Sequence, residues 1–143
     1  MPKPPAYTMP CYCTTLRKAA RSVTRLYDNA VEPAGLRITQ YALLNTLSRL
    51  GQASLHALSE STRLERTTLI RNLDVLVKQD LVRIIHEQPP RAHSVCLTDK
   101  GEIRLNAARP LWERAQTRIG GMLTSEEVSL LQNLLLKLHA LDR

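Results

Sequence analysis

The sequence predicts a mainly α-helical fold with one small β-hairpin, and three observations carry that expectation. Apolar residues recur at three- and four-residue steps through most of the chain, the spacing of helices that bury one face. That period breaks once, at residues 82–97, where β-rich segments flank Gln88-Pro89-Pro90-Arg91. Just before the break come a short helix, a tight turn and an amphipathic helix with polar residues at its start, the helix-turn-helix order. A hairpin directly after it makes the winged form.

Residues 1–10 carry four prolines and read as an extended arm. A first helix fits Thr14 to Ala30, with Leu16, Ala19, Ala20, Val23, Leu26, Tyr27 and Ala30 on one side; Pro33 and Gly35 end it. Thr39 is expected to cap the next helix, whose apolar face is Leu43, Leu44, Leu47 and Leu50, with Gly51 at the stop. Ser54 caps a short helix through Leu55 and Leu58.

From Glu65 to Lys78 an apolar stripe of Leu69, Ile70, Leu73, Leu76 and Val77 opposes Thr67, Arg71, Asp74 and Lys78. Asp80 fits the turn after it, a place where Gly is commonest. Val82 to Glu87 and His93 to Leu97 form the hairpin, with a stiff, solvent-facing Pro-Pro tip. Thr98 caps a helix from about Asp99 to Gly120, with a stripe of Ile103, Ala107, Leu111, Trp112, Ala115 and Ile119. Pro110 should kink or split that helix. Thr124-Ser125-Glu126-Glu127 is a capping box opening a last helix to about Leu141.

The length of 143 residues fits one domain of 1–143. Its winged core spans about 36–100, between flanking helices at about 13–31 and 101–141. No apolar run approaches the ~18 residues of a membrane span. The first residues lack the apolar segment of a secretory signal, so the expected place is the cytoplasm. Three cysteines, an odd number, argue against a disulfide framework. Twenty Lys and Arg against thirteen Asp and Glu leave a charge of +7, which favours a polyanionic partner. The excess is spread along the chain, so local motifs must locate the binding face.

The major groove of DNA admits one helix, whose N-terminal side chains meet base edges. The second helix of the pair and the turn before it offer Arg63, Arg66, Thr67, Thr68 and Arg71 for that task. Arg binds guanine in a bidentate way, and Thr reaches bases or phosphates. The hairpin adds Arg91 at its tip, suited to a phosphate or the narrow minor groove, with His86 and His93 on its strands. Double-stranded DNA is therefore the expected partner. His86 and His93 can pair across the hairpin near Cys96, but structural zinc sites use four ligands at closer spacing, so no metal is assigned. No nucleophile-base pair, phosphate loop or carboxylate pair stands out, which argues against an enzyme and leaves no cofactor to assign. Arg17, Arg21 and Arg25 form a stripe that reads first as a solvated face. The last helix, with Leu131, Leu134, Leu135 and Leu138, is very apolar for a chain terminus and calls for a second copy of the chain.

Residues Gly35-Leu36-Arg37-Ile38-Thr39-Gln40-Tyr41 resemble the "GLTxxQ" opening of the second helix in MarR-type transcriptional regulators. Arg66-Thr67-Thr68-Leu69, Leu81-Val82-Arg83, Arg91-Ala92 and Val95-Cys96-Leu97-Thr98-Asp99-Lys100-Gly101 match in register over residues ~13–141. Pro89 stands where that family's wing usually has Asp, and Asp80 where it has Gly. The resemblance implies a homodimer with intertwined N- and C-terminal helices, and two winged domains reading a near-palindromic operator as a repressor. A rival reading is a dimeric winged-helix protein-interaction module without DNA; the retained Arg66, Arg71 and Arg91 favour DNA.

In the same register, Cys13 falls where the organic-hydroperoxide-sensing branch of the family places its reactive thiol, and Tyr27 where it places a tyrosine that hydrogen-bonds that thiol. That branch's other two tyrosine positions read Arg17 and Ile38. A thiolate at a helix start is favoured by the dipole, and Arg17 lies one turn on. Cys11 is a candidate to resolve a sulfenic acid at Cys13. The alternative signal implied by the family is a small aromatic or anionic ligand between the dimer helices and the winged domain, with Tyr12, Tyr27, Tyr41 and Arg17 as candidate lining.

Overall fold

The computed structural model describes residues 11–86 and 93–142. In chain order these form α1 (Tyr12–Val31), a 3-10 turn (Glu32–Ala34), α2 (Ile38–Leu50), β1 (Gln52–Ser54), α3 (Leu55–Thr62), α4 (Arg66–Lys78), β2 (Val82–Ile85), β3 (Ser94–Leu97), α5 (Asp99–Gly121), α6 (Ser125–His139) and a 3-10 turn (Ala140–Asp142). The proline-rich arm expected at residues 1–10 and the tip with Arg91 lie outside the described residues.

The three strands form one antiparallel sheet in the order β1-β3-β2. Ile84 pairs with Val95 and Arg83 with Cys96, while Ala53 pairs with Val95 from the other side. Strand β1 has no counterpart in the sequence reading. Three residues after a glycine are too short to show a period of two, and they are held only by pairing with a strand forty residues away.

The core sits where α2, α3, α4 and the sheet meet. Leu43, Leu44 and Leu47 of α2, Leu58 of α3, Leu69, Leu73 and Leu76 of α4, and Leu81, Val82 and Val95 of the wing are all buried in it. Val31 closes it from α1, and Leu105 and Ala108 from α5. The Tyr41 ring stacks on Trp112 of α5, centroids 5.7 Å apart.

Several helix ends are explained residue by residue. Helix α2 starts at Ile38, one residue ahead of the expected Thr39 cap. Its free Ile38 N–H donates to Asp28 Oδ1 of α1 at 2.8 Å, and Gln40 Oε1 reaches back to accept from Arg37 N–H at 2.9 Å. The cap comes from another helix, which local sequence does not reveal. Ser54, Thr98 and Thr124 each cap their helices as expected, with Thr124 and Glu127 in a reciprocal box. Helix α5 runs unbroken through Pro110 rather than splitting there. Asn106, whose carbonyl loses its partner, and Pro110 are both exposed, so water can take the freed group.

The stripe of α5 meets expectation only in its second half: Ala115 is buried and Leu111 and Trp112 pack against the core. In its first half Leu105 and Ala108 are buried in place of Ile103, which is 71% exposed, and Ala107. The sequence offers apolar residues on two faces of this helix, and only one of them meets the core. On α4 likewise, Ile70 and Val77 are exposed flanks of a narrower Leu69-Leu73-Leu76 seam.

Candidate nucleic-acid interface

Helix α4 is fixed at both ends. The turn before it is tied by the Ser59 hydroxyl donating to Leu64 O at 2.9 Å, and by the Thr62 hydroxyl donating to Leu58 O at 2.6 Å. After it, Leu81 N–H donates to Leu76 O at 2.9 Å and Asp80 N–H to Val77 O at 3.0 Å. These two bonds form a Schellman motif, with Asp80 in the left-handed region at φ 60°. Asn and Asp tolerate that conformation better than most residues, which is how Asp80 serves here in place of Gly.

The same turn anchors the next helix. The Thr98 hydroxyl donates to Asp80 O at 2.6 Å, Thr98 N–H to Leu81 O at 3.1 Å, and Lys100 Nζ to Gln79 O at 3.1 Å. Gly101 lies directly against Leu81; a Cβ built on it would fall 2.0 Å from Leu81 O. The end of α4, the start of the wing and the start of α5 therefore form one welded junction.

With Leu69, Leu73 and Leu76 buried, the rest of α4 is set outward. Arg66, Thr67, Thr68 and Arg71 are all exposed, and Arg66 is the first residue of the helix. By the 100° step of a helix, Thr67 and Arg71 lie nearly opposite the buried seam, while Arg66 and Thr68 lie on its two flanks. Val75, one turn beyond Arg71, is 42% exposed on the same outward side. An apolar side chain there suits contact with a thymine methyl. The sequence pattern alone does not single Val75 out, because an apolar residue carries no groove-binding signal of its own.

His93 is exposed at the foot of β3, facing His86, so the wing presents it near the hairpin. Arg63 is placed differently from the other arginines. It caps α3 in the left-handed region, and its guanidinium donates to His139 O at 3.1 Å and lies 3.9 Å from Asp142 Oδ2. Both partners of that ion pair are largely solvated, so it contributes little to stability.

The cysteines are also placed differently from expectation. The residue at the start of α1 is Cys11, whose sulfur accepts the Thr14 N–H at 3.5 Å. Hydrogen bonds from the side chain and then the backbone of Thr14 hold the Cys11 thiol below the usual thiol range. Cys13 is exposed one residue inside the helix. The expected Cys13–Tyr27 bond does not form within one chain: fourteen residues of helix separate them by about 21 Å. The Tyr27 hydroxyl instead donates to Gln116 Oε1 of α5, and burial pushes its pKa up.

The other candidate ligand residues are scattered. Tyr41 is buried on Trp112, whereas Tyr12 and Arg17 are exposed near the start of α1. A groove of about 280 Å³ between α1 and α5 is lined instead by Leu26, Asn29, Ala30, Arg114, Ala115 and Arg118.

The flanking helices leave apolar faces open. No residue of α6 is buried, and Leu131, Leu134, Leu135 and Leu138 are 39–46% exposed. Leu16 and Val23 of α1 are exposed to a similar degree. Among the described residues, no helix is long and apolar enough to cross a membrane.

A helix-turn-helix welded to a β-wing and presenting a basic helix face defines a winged-helix regulator by its form. No family model and no curated protein matches the chain. Solved structures do. The M. tuberculosis transcriptional regulator MosR in complex with DNA is 33% identical, with a TM-score of 0.80 over 91% of this chain and 97% of that one. MosR in a second structure is 32% identical, with a TM-score of 0.78 over 92% and 98%. A cysteine-to-serine mutant of E. coli MarR with operator DNA shares the fold at 21% identity, with a TM-score of 0.79 over 87% and 91%. The chain belongs to the MarR family of winged helix-turn-helix transcriptional regulators, a family without enzymatic activity.

Proposed function

We propose that this chain is a cytoplasmic, dimeric repressor that reads a near-palindromic DNA operator with α4 in the major groove. The observation that carries the reading is the α4 surface itself. A fully buried leucine seam fixes the helix, and Arg66, Thr67, Thr68 and Arg71 are left exposed at its N-terminal half. The similarity to MosR, solved with DNA, supports it. Arg71 is assigned to a base edge, Arg66, Thr67 and Thr68 to bases or phosphates, and His93 and Arg91 to the wing contact. Arg63 is assigned to a phosphate contact, since its contacts with His139 O and Asp142 run through Nη1 and are solvated.

Dimerisation rests on α1 and α6. An α-helix with four half-exposed leucines and nothing buried has no driving force to stay in place in a single chain. A second copy supplies the missing apolar surface and sets the spacing of the two α4 helices. The rival reading, a protein-interaction module, is met by the same dimer but gives no reason for Arg66 and Arg71 on the exposed face.

Release of DNA is assigned to a signal at the start of α1. Cys11 is assigned the more reactive thiol, because it sits at the helix cap and accepts from Thr14, and Cys13, two residues on, is assigned as the resolving thiol. A hydroperoxide oxidises the Cys11 thiolate to sulfenic acid and is reduced to the alcohol; attack by the Cys13 thiol then releases water and forms a disulfide. That bond removes the Thr14 cap and disturbs the first turn of α1. A small anionic ligand in the groove beside Arg114 and Arg118 is the second candidate signal. Mobility shifts of an operator selected from random DNA test the reading: wild type binds and Arg71→Ala loses most of the preference. Undiminished binding by Arg71→Ala combined with Arg66→Ala would overturn it.

A further inference from the structure

Two histidines at the foot of the wing meet in a way that DNA reading does not require. His86 follows β2 and His93 precedes β3. Ile85 pairs with Ser94, so the next rung of the ladder sets His86 opposite His93. Their Nδ1 atoms lie 3.2 Å apart, with ring centroids at 4.6 Å and planes at 80°. Both side chains are exposed, so ions and water reach them freely.

We propose that this cross-strand pair is a chelating site for a borderline divalent transition ion, zinc being the best fit. Imidazole nitrogens bind zinc at roughly 2.0–2.1 Å. Two nitrogens 3.2 Å apart, each at that distance from one ion, subtend an angle of roughly 100° at the metal, close to tetrahedral. Both exposed rings turn to aim their lone pairs at the shared point.

Among the described residues no cluster of three or more His, Cys, Asp and Glu surrounds the point. The remaining positions are filled by water, which makes this an open, exchangeable site and not a four-ligand structural one. Imidazole donors favour zinc, nickel and copper over magnesium and calcium. The ion would add a second link between β2 and β3, beyond the Ile85–Ser94 rung of their ladder. Any use of this link in DNA binding rests on the function proposed above; the metal site itself does not.

The test must separate this pair from the exposed thiols of Cys11 and Cys13, a residue type that zinc also favours. Long-range 1H–15N spectra of the full chain, labelled at its four histidines, resolve each ring nitrogen while Zn(II) is added. The Nδ1 signals of His86 and His93 should move together, at the same zinc concentration, with His56 and His139 unchanged. In His93→Ala, the His86 signal should need roughly a hundredfold more zinc, because one of two linked ligands is gone. His139→Ala should behave as wild type, and both rings being exposed, the variants should keep the wild-type fold. Unmoved Nδ1 signals at excess zinc in wild type would overturn the proposal, as would an undiminished response of His86 in His93→Ala.

Discussion

Replacing Gly101 by alanine should destabilise this protein, although the same change improves most helices. Within a helix, Gly→Ala ordinarily gains about 1 kcal/mol. At Gly101 the new Cβ meets Leu81 O at 2.0 Å and the Leu81 carbonyl carbon at 2.9 Å. The obstacle is backbone, so no side chain can swing aside. Moving Leu81 would stretch the Thr98 N–H bond to Leu81 O and the Leu81 N–H bond to Leu76 O, 3.1 and 2.9 Å long. Overpacking of this kind costs about 1–3 kcal/mol and more where backbone must shift, and each strained bond adds about 1 kcal/mol. The net loss should be about 2–4 kcal/mol, a fall in Tm of roughly 6–15 °C for a domain of this size. Gly120→Ala, in the same helix with nothing within 4 Å of its Cβ, is the control and should be neutral or slightly stabilising. Thermal unfolding at one fixed protein concentration reads both. A Gly101→Ala protein as stable as Gly120→Ala would refute the reasoning about the junction.

Arg71→Ala should weaken binding to the preferred DNA by about 1–3 kcal/mol, roughly 5- to 150-fold, and random DNA by less, in titrations at matched salt. Arg91→Ala should weaken all sequences alike and reduce the salt slope by about one unit; a sequence-selective loss would reassign it. Leu131→Asp with Leu135→Asp should abolish the proposed dimer, with sedimentation as the readout, because each leucine buried at an interface is worth about 1–2 kcal/mol and a charge there is left unpaired. A wild-type sedimentation profile from that variant would remove α6 from the interface. Since the Cys11 pKa is lowered, its thiolate persists to lower pH than that of an ordinary thiol. Alkylation at neutral pH should thus strike Cys11 before Cys13, and Thr14→Val should slow it; faster labelling of Cys13 would reverse the assigned roles.

Much of the winged core was legible because its signals are local. Ser54, Thr98 and Thr124 are hydroxyl caps at fixed offsets from apolar runs, and the leucines of α4 repeat at helical spacing. The outward set of Thr67, Arg71 and Lys78 follows from that repeat. What stayed hidden depends on partners far along the chain. Asp28 starts α2 from another helix, and β1 exists only through β3. Arg63 also meets residues near the C-terminus, a contact that no local pattern shows. The start of α1 was misplaced by two residues, which moved the capped thiol from Cys13 to Cys11. A helix start without Ser, Thr, Asp or Asn gives little to read, and a sulfur acting as the cap acceptor is an uncommon substitute. The two apolar faces of α5 could not be ranked from sequence, since one faces the core and the other faces outward.

Selection of duplexes from a random pool by the native protein, followed by sequencing, tests most directly whether α4 reads DNA in a symmetric pair. The expected product is a near-palindrome whose half-sites are centred about 10 bp, one helical turn, apart. Enrichment of a single unpaired half-site, or of no sequence at all, would contradict it.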